Sequence, residues 1–178
     1  MSEKDKILLY GAAISKAYEN FLKGVEKGDI VYTNEQEIRC FLFMEYISYL
    51  REEKFPKPYH IFVDYKIDDK IIDMAVPIDE KKVMAIEIKY NPSPAGVVED
   101  LTKLKELINK NIALRGVFMT FALRDYKLRD RLKERGIFSK FSLKEEGESD
   151  SGSVSWQTIE RPYNHKNIDA LFIVLWKK

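Results

Sequence analysis

Residues 59–90, YHIFVDYKIDDKIIDMAVPIDEKKVMAIEIKY, decide the fold. Three runs within them, YHIFVDYKI, IIDMAV and KVMAIEIKY, alternate with a period of two. Asp68-Asp69-Lys70 and Pro77-Ile78-Asp79-Glu80, both rich in turn formers, separate the runs. This pattern predicts a three-stranded antiparallel meander. Successive side chains of a strand point to opposite faces, so KVMAIEIKY sets Val83, Ala85, Glu87 and Lys89 against Met84, Ile86, Ile88 and Tyr90. In IIDMAV the same rule sets Ile71, Asp73 and Ala75 against Ile72, Met74 and Val76. Each strand therefore has one apolar side and one that mixes charge with small residues. A hairpin turning around Glu80 brings Ala75 opposite Ala85 and Asp73 opposite Glu87.

Upstream, Ile7, Leu8, Ile14, Ala17, Tyr18, Phe21, Leu22 and Val25 recur at helical spacing through residues 4–27, with Ser2 as N-cap and Gly28 as stop. A second helix starts near Thr33 or Asn34 and runs through EQEIRCFLFMEYISYLREE until Pro56 and Pro58 break it. Its middle is apolar almost all round, which predicts burial, with Cys40 as a small core residue. Downstream, the loop NPSPAG leads to a helix from about Val97 to Lys110 and then to the strand LRGVFMTFA. A helical crossover of that size predicts a strand parallel to its predecessor. A short helix over Tyr126–Arg135 ends at Gly136. FSKFSL and VSWQTIE then flank EEGESDSGS like a hairpin with a long tip, and DALFIVLW closes the chain as a buried strand.

The 178 residues, 45% hydrophobic and 33% charged, suit one domain of about 100 to 200 residues. The expectation is a single α/β unit: an N-terminal helix in 1–28, a core in 33–122, and a helix with a β extension in 123–178. The predicted sheet is mixed, with four or five strands and flanking helices. Thirty basic and 29 acidic side chains give a net charge of +1, so any polyanion affinity must come from local asymmetry. Cys40, His60 and His165 are too few for a disulfide framework or a structural zinc site. With no signal-like start and no apolar run of about 18 residues, a soluble cytoplasmic protein is expected. Phosphate-binding glycine loops, GxSxG elbows and internal repeats are all missing from the sequence, which moves attention to carboxylates and lysines.

Two carboxylates facing each other across a ladder repel by roughly 0.2 to 1 kcal/mol even at a surface, and by more once desolvated. A divalent cation between Asp73 and Glu87 removes that conflict. Oxygen ligands suit magnesium, with manganese as a substitute, and the paired alanines leave room for its waters. Lys89, two residues after Glu87 on the same face, stands where an ammonium orients a water or offsets charge developing on phosphorus.

Asp73 on one strand, Glu87-Ile88-Lys89 on the next and the preceding acidic helix start NEQEIRCFLF resemble the PD-(D/E)XK nuclease superfamily. The resemblance covers about residues 33–122 and implies a restriction-endonuclease-like core. It further implies a magnesium-dependent nuclease acting on nucleic acid, with DNA favoured. Asp73, Glu87 and Lys89 would then be catalytic, and Asp73, Glu87, Glu35 and the Ile88 carbonyl would hold metal. Glu35 shares a stripe with Ile38, Leu42 and Tyr49, with Glu37 and Glu45 as alternatives for the helix carboxylate. The sequence departs from the pattern at Ile72, where the superfamily's name has proline, and in lacking a glutamine on the helix after Lys89. Cutting both strands of a duplex would call for a symmetric dimer.

Residues 102–140 hold 11 basic and four acidic side chains, whereas 145–153 carry four acids and no base. A basic surface beside a carboxylate site suits a phosphate backbone, with Lys103, Lys105, Arg124, Lys127 and Arg131 as contacts. Arg161, Tyr163, His165 and Lys166 are further candidates through charge and stacking. The plainer alternative makes Glu87 and Lys89 a solvated strand face and Asp73 a surface ion-pair partner. The chain is then a non-catalytic module binding nucleic acid or protein through the 102–140 surface.

Overall fold

Ser2 opens the first helix, α1 (Glu3–Lys27), with a closed capping box: its hydroxyl accepts the Asp5 N–H, and the Asp5 carboxylate accepts the Ser2 N–H. Gly28 ends it at φ 81°, a left-handed conformation that glycine adopts freely. Asn34 caps α2 (Glu35–Glu52) by accepting the Glu37 N–H. The computed structural model describes residues 2–55, 60–159 and 167–177. Pro56, Pro58, Arg161, Tyr163, His165 and Lys166 lie outside them. The buried stripe of α2 is Ile38, Leu42, Tyr46 and Leu50, one residue per turn. Burial all round is the expectation, but only this stripe is fully buried, while Phe41, Phe43, Ile47 and Tyr49 pack against the core partly exposed. Cys40, on another face, is exposed rather than a core residue.

The meander forms as β1 (Phe62–Ile67), β2 (Lys70–Pro77) and β3 (Val83–Tyr90), antiparallel throughout, with Ala75 opposite Ala85. Ser93 caps α3 (Pro94–Asn109), and Pro94 opens it where a missing N–H costs nothing, three residues before the expected start. The crossover delivers β4 (Ala113–Leu123) parallel to β3. Gly116 lets α3 close on β4, since a Cβ there would stand 3.0 Å from the Leu104 Cβ. A single 3₁₀ turn, Arg124–Tyr126, leads into α4 (Leu128–Glu134), α5 (Ile137–Lys140), β5 (Gly147–Ser149), β6 (Gly152–Ile159) and β7 (Ile168–Leu175).

The described residues make one mixed sheet of seven strands in the order β1-β2-β3-β4-β7-β6-β5, not four or five. The reason is β7, which pairs along β4 from Gly116↔Leu175 to Leu123↔Ile168 and carries β6 and β5 into the same sheet. FSKFSL is a second correction. Its first residues belong to α5, entered through Gly136 at φ 60°, with Phe138 and Phe141 buried. The hairpin forms inside EEGESDSGS, where Ser149 pairs with Gly152, so the tip is tight rather than long.

The sheet separates two cores. Helices α1 and α2 pack on Met74, Val76, Met84, Ile86, Ile88 and Phe121. The other face carries Ala75, Ala85, Phe118 and Leu171 beneath α3, α4 and α5. Ile72 joins this second core despite its even position, a local departure from strict alternation in β2. Among the described residues no helix is long and apolar enough to cross a membrane.

Candidate active site

The ladder between β2 and β3 runs from Pro77↔Val83 to Met74↔Ile86 and stops there. At the next residue a side chain takes over from the backbone: Asp73 Oδ2 accepts the Ile88 N–H at 2.7 Å. The aspartate thus satisfies a strand amide and is held between the strands where they cease to pair. Its other oxygen, Oδ1, lies 3.4 Å from Arg39 Nη1 of α2. The same Nη1 donates to Asp64 Oδ1 at 2.7 Å.

Lys89 brings α2 and α3 to this point. Its Nζ stands 3.5 Å from Glu35 Oε1 at the start of α2, 3.9 Å from Asp73 Oδ2 and 3.7 Å from Asp100 Oδ2 of α3. Lys103, one turn after Asp100, donates to Glu87 Oε1 at 2.6 Å and to the Ile71 carbonyl at 3.2 Å, and lies 3.2 Å from Asp100 Oδ1. Glu35, Asp73, Glu87 and Asp100 thus face Arg39, Lys89 and Lys103, four carboxylates against three cations. Of these only Glu87 and Asp100 are fully buried, where a charge persists only when paired or when it serves a purpose other than stability.

Glu87 is 1% exposed, and its burial, reinforced by the Asp73 charge, pushes its pKa up to about 8 against the Lys103 hydrogen bond. Within that pair the ammonium keeps its proton and the carboxylate is driven toward neutrality, because Glu87 is enclosed while Lys103 reaches solvent. Burial works against the Lys103 and Lys89 ammoniums too. The Glu87 contact for Lys103, and the Asp73, Asp100 and Glu35 charges for Lys89, outweigh it and hold both above the usual lysine value. Asp100, 4% exposed, is also raised by burial, and its Oδ2 has no hydrogen-bond partner among the described residues. Lys89 is in register with Thr120 of β4, whose buried hydroxyl is likewise unpartnered there.

Of the residues singled out from sequence, Asp73, Glu87, Lys89 and Glu35 come together, with Ile88 supplying backbone to the same point. Glu37 does not join them, because its carboxylate accepts the Thr33 N–H at 2.6 Å at the helix cap. Glu45 accepts from Asn20 instead. Lys103, expected to reach phosphate, has its ammonium on Glu87. Lys105 is half-buried with its ammonium 5.6 Å over the Phe141 ring. Arg124, Lys127 and Arg131 are exposed, Arg131 lying 4.7 Å over Tyr126. The acidic hairpin pairs with their neighbours, Glu146 with Arg129 and Glu145 with Lys133, which trims the local positive charge.

Sequence reasoning missed Arg39 and Asp100. Arg39 lies one turn after Glu35 on the same helix face, and Asp100 precedes Lys103 by three. Among the described residues no three Asp, Glu, His or Cys side chains converge as they stand closely enough to chelate a metal ion. Comparison with family models, curated proteins and solved structures finds no match to this chain.

Proposed function

We propose that the chain is a metal-dependent nuclease with a restriction-endonuclease-like core spanning residues 33–122, hydrolysing phosphodiester bonds, those of DNA in the first instance. The observation that carries this reading is the Asp73 carboxylate, bound to the Ile88 N–H at the point where β2 and β3 part, with Glu87 and Lys89 on either side of Ile88. The donors are the hard carboxylate oxygens that a divalent cation takes, and they outnumber the cations around them; among the described residues no three converge as they stand, so a cation would have to displace an ammonium. Asp73, Glu87 and the Ile88 carbonyl would hold it, and Glu35 a second ion or a bound water. Lys103 sits on the Glu87 carboxylate, so cation and ammonium compete for it.

A magnesium ion there would supply Lewis acidity and lower the pKa of a bound water. The remaining work falls to the chain. Lys89 orients the attacking water or donates to a phosphate oxygen; water's oxygen joins phosphorus as its proton passes to solvent, the P–O ester bond breaks, and the leaving oxygen takes a proton from a solvent water. Arg39, itself held by Asp64 of β1, steadies Asp73 from α2.

A non-catalytic module binding nucleic acid or protein is the second reading. It is favoured by Lys103 and Lys89, which already partner the carboxylates. The test is cleavage of labelled DNA and RNA panels with magnesium, manganese or EDTA. Metal-dependent cutting lost in Asp73→Ala and Lys89→Ala, with both folded, supports the nuclease. Cutting that survives both substitutions removes these residues from the chemistry.

A further inference from the structure

Arg39 has a second neighbourhood. Between α2 and the edge strand β1 lies a concavity of about 320 Å³, walled by Phe43, Met44, Val63 and Met74, with polar groups from Gln36, Arg39 and Asp64. Its helical wall is a stripe of α2 distinct from the buried one, because positions 36, 39/40 and 43/44 recur at three- and four-residue spacing. Met44 is 66% exposed and Val63 51% exposed, apolar surface that the fold itself leaves uncovered. Such a patch continuous with a pocket marks a ligand surface.

Three features connect this pocket to the carboxylates. Arg39 both lines it and reaches Asp73 at 3.4 Å. The Arg39 Nε is buried with no hydrogen-bond partner among the described residues, so Asp64 and Asp73 do not use all of the guanidinium's donors. Asp64, on the other wall, has φ 48°, and the β1–β2 ladder omits its pairing with Asp73. Backbone held in that region is bent where it shapes the pocket.

Size and chemistry select the occupant. Ligand pockets begin at roughly 300 Å³, so this one takes a single small flat group and not a helix or folded segment. Apolar walls of thioether and aromatic groups, edged by a guanidinium, an amide and a carboxylate, match a heteroaromatic ring with donors and acceptors on its rim. The bases of a duplex hide their faces in the stack, whereas an unpaired base offers them. We propose that the pocket holds one unpaired nucleobase beside the scissile phosphate, so that the substrate is single-stranded or carries an unpaired nucleotide there. This rests on the phosphodiesterase reading for its placement next to the cut.

The experiment uses the full chain with short DNA oligonucleotides carrying 2-aminopurine, unpaired or within a duplex of the same sequence. Calcium replaces magnesium so that binding is read apart from cutting. The wild type binds the unpaired form about tenfold more tightly, with a change in 2-aminopurine emission, the scale of one base stacked on protein. Met44→Glu and Val63→Glu, at exposed positions and checked by thermal melting, lose that preference and keep duplex affinity. RNA of the same sequence forms a parallel arm, which assigns the sugar. Unchanged affinity for the unpaired form in both folded variants overturns the pocket, as does a wild-type preference for duplex. A dimer abolished by Met44→Glu also overturns it, by making a second copy the occupant. Magnesium-dependent cutting is measured on the same preparations: cutting without the unpaired preference removes only the pocket, and the preference without cutting removes only the nuclease.

Discussion

Replacing Asp73 separates a structural from a chemical role, because its two oxygens do different work. Oδ2 accepts the Ile88 N–H at 2.7 Å, a charge-assisted bond, while the carboxylate's charge also bears on buried Glu87. Asp73→Ala leaves the Ile88 amide without its acceptor, a loss of about 1 to 3 kcal/mol for a buried unsatisfied group. In a chain of this length about 1 kcal/mol moves Tm by roughly 2 to 4 °C, so a fall of about 2 to 12 °C is expected. Asp73→Asn keeps an oxygen for that N–H. It weakens the bond by about 1 kcal/mol, since charge-assisted bonds are roughly twice as strong as neutral ones. Both substitutions remove the same charge, with its repulsion on Glu87 and its attraction for Arg39 and Lys89, so the difference between them reports the Ile88 bond. Repulsion and attraction oppose, and the Tm of Asp73→Asn should stay within about 4 °C of wild type. Cleavage should nevertheless fall by at least about a hundredfold, the scale on which metal-site residues act. The assay is thermal melting in EDTA beside magnesium-dependent cleavage. An Asp73→Asn protein as destabilised as Asp73→Ala, or one that still cuts, would refute the reasoning.

Lys103→Met removes the ammonium from buried Glu87, which burial already drives toward neutrality and which should then take up a proton. Urea unfolding in EDTA should show a loss of about 1 to 3 kcal/mol near neutral pH that grows as pH rises, and a loss independent of pH would mean that Glu87 finds another partner. Glu35→Gln and Glu37→Gln divide the helix acids: cleavage should drop in the first and hold in the second, which disturbs only the cap that Glu37 makes with Thr33. Equal activity in the two would remove Glu35 from the site. Gly152→Ala tests the join of the C-terminal strands, because its Cβ would strike the Val174 carbonyl and the Leu143 side chain. A loss of about 1 to 3 kcal/mol by denaturant melting is expected, and an unperturbed protein would contradict the β6–β7 pairing.

The meander was legible because period two is a local signal. Once a turn is placed near Glu80, the register that puts Ala75 across from Ala85 follows by counting. The number of strands in the sheet was not legible, since β7 reaches β4 from about fifty residues away and long-range pairing leaves no local mark. FSKFSL misled because Phe141 and Leu143 alternate as in a strand whereas Phe138 and Phe141 stand three apart as in a helix; Gly136 ahead of them tipped the choice to helix. In α2 the apolar excess hid which stripe faces inward, and Cys40 fell on the outer one. Asp73, Glu87 and Lys89 stood out as charges on an otherwise small and apolar strand face. Arg39 and Asp100 reach them only through helix packing, which spacing along the chain does not reveal.

The account stands or falls on whether these carboxylates bind a divalent cation, which is independent of any choice of substrate. Manganese titration of the wild type, Asp73→Asn and Lys103→Met, followed by the electron paramagnetic resonance of the free ion, measures it directly. The account predicts saturable binding by the wild type, tighter binding once the competing Lys103 ammonium is gone, and loss of binding in Asp73→Asn. Wild-type protein that takes up no more manganese than Asp73→Asn would contradict it and leave the cluster as a closed set of ion pairs.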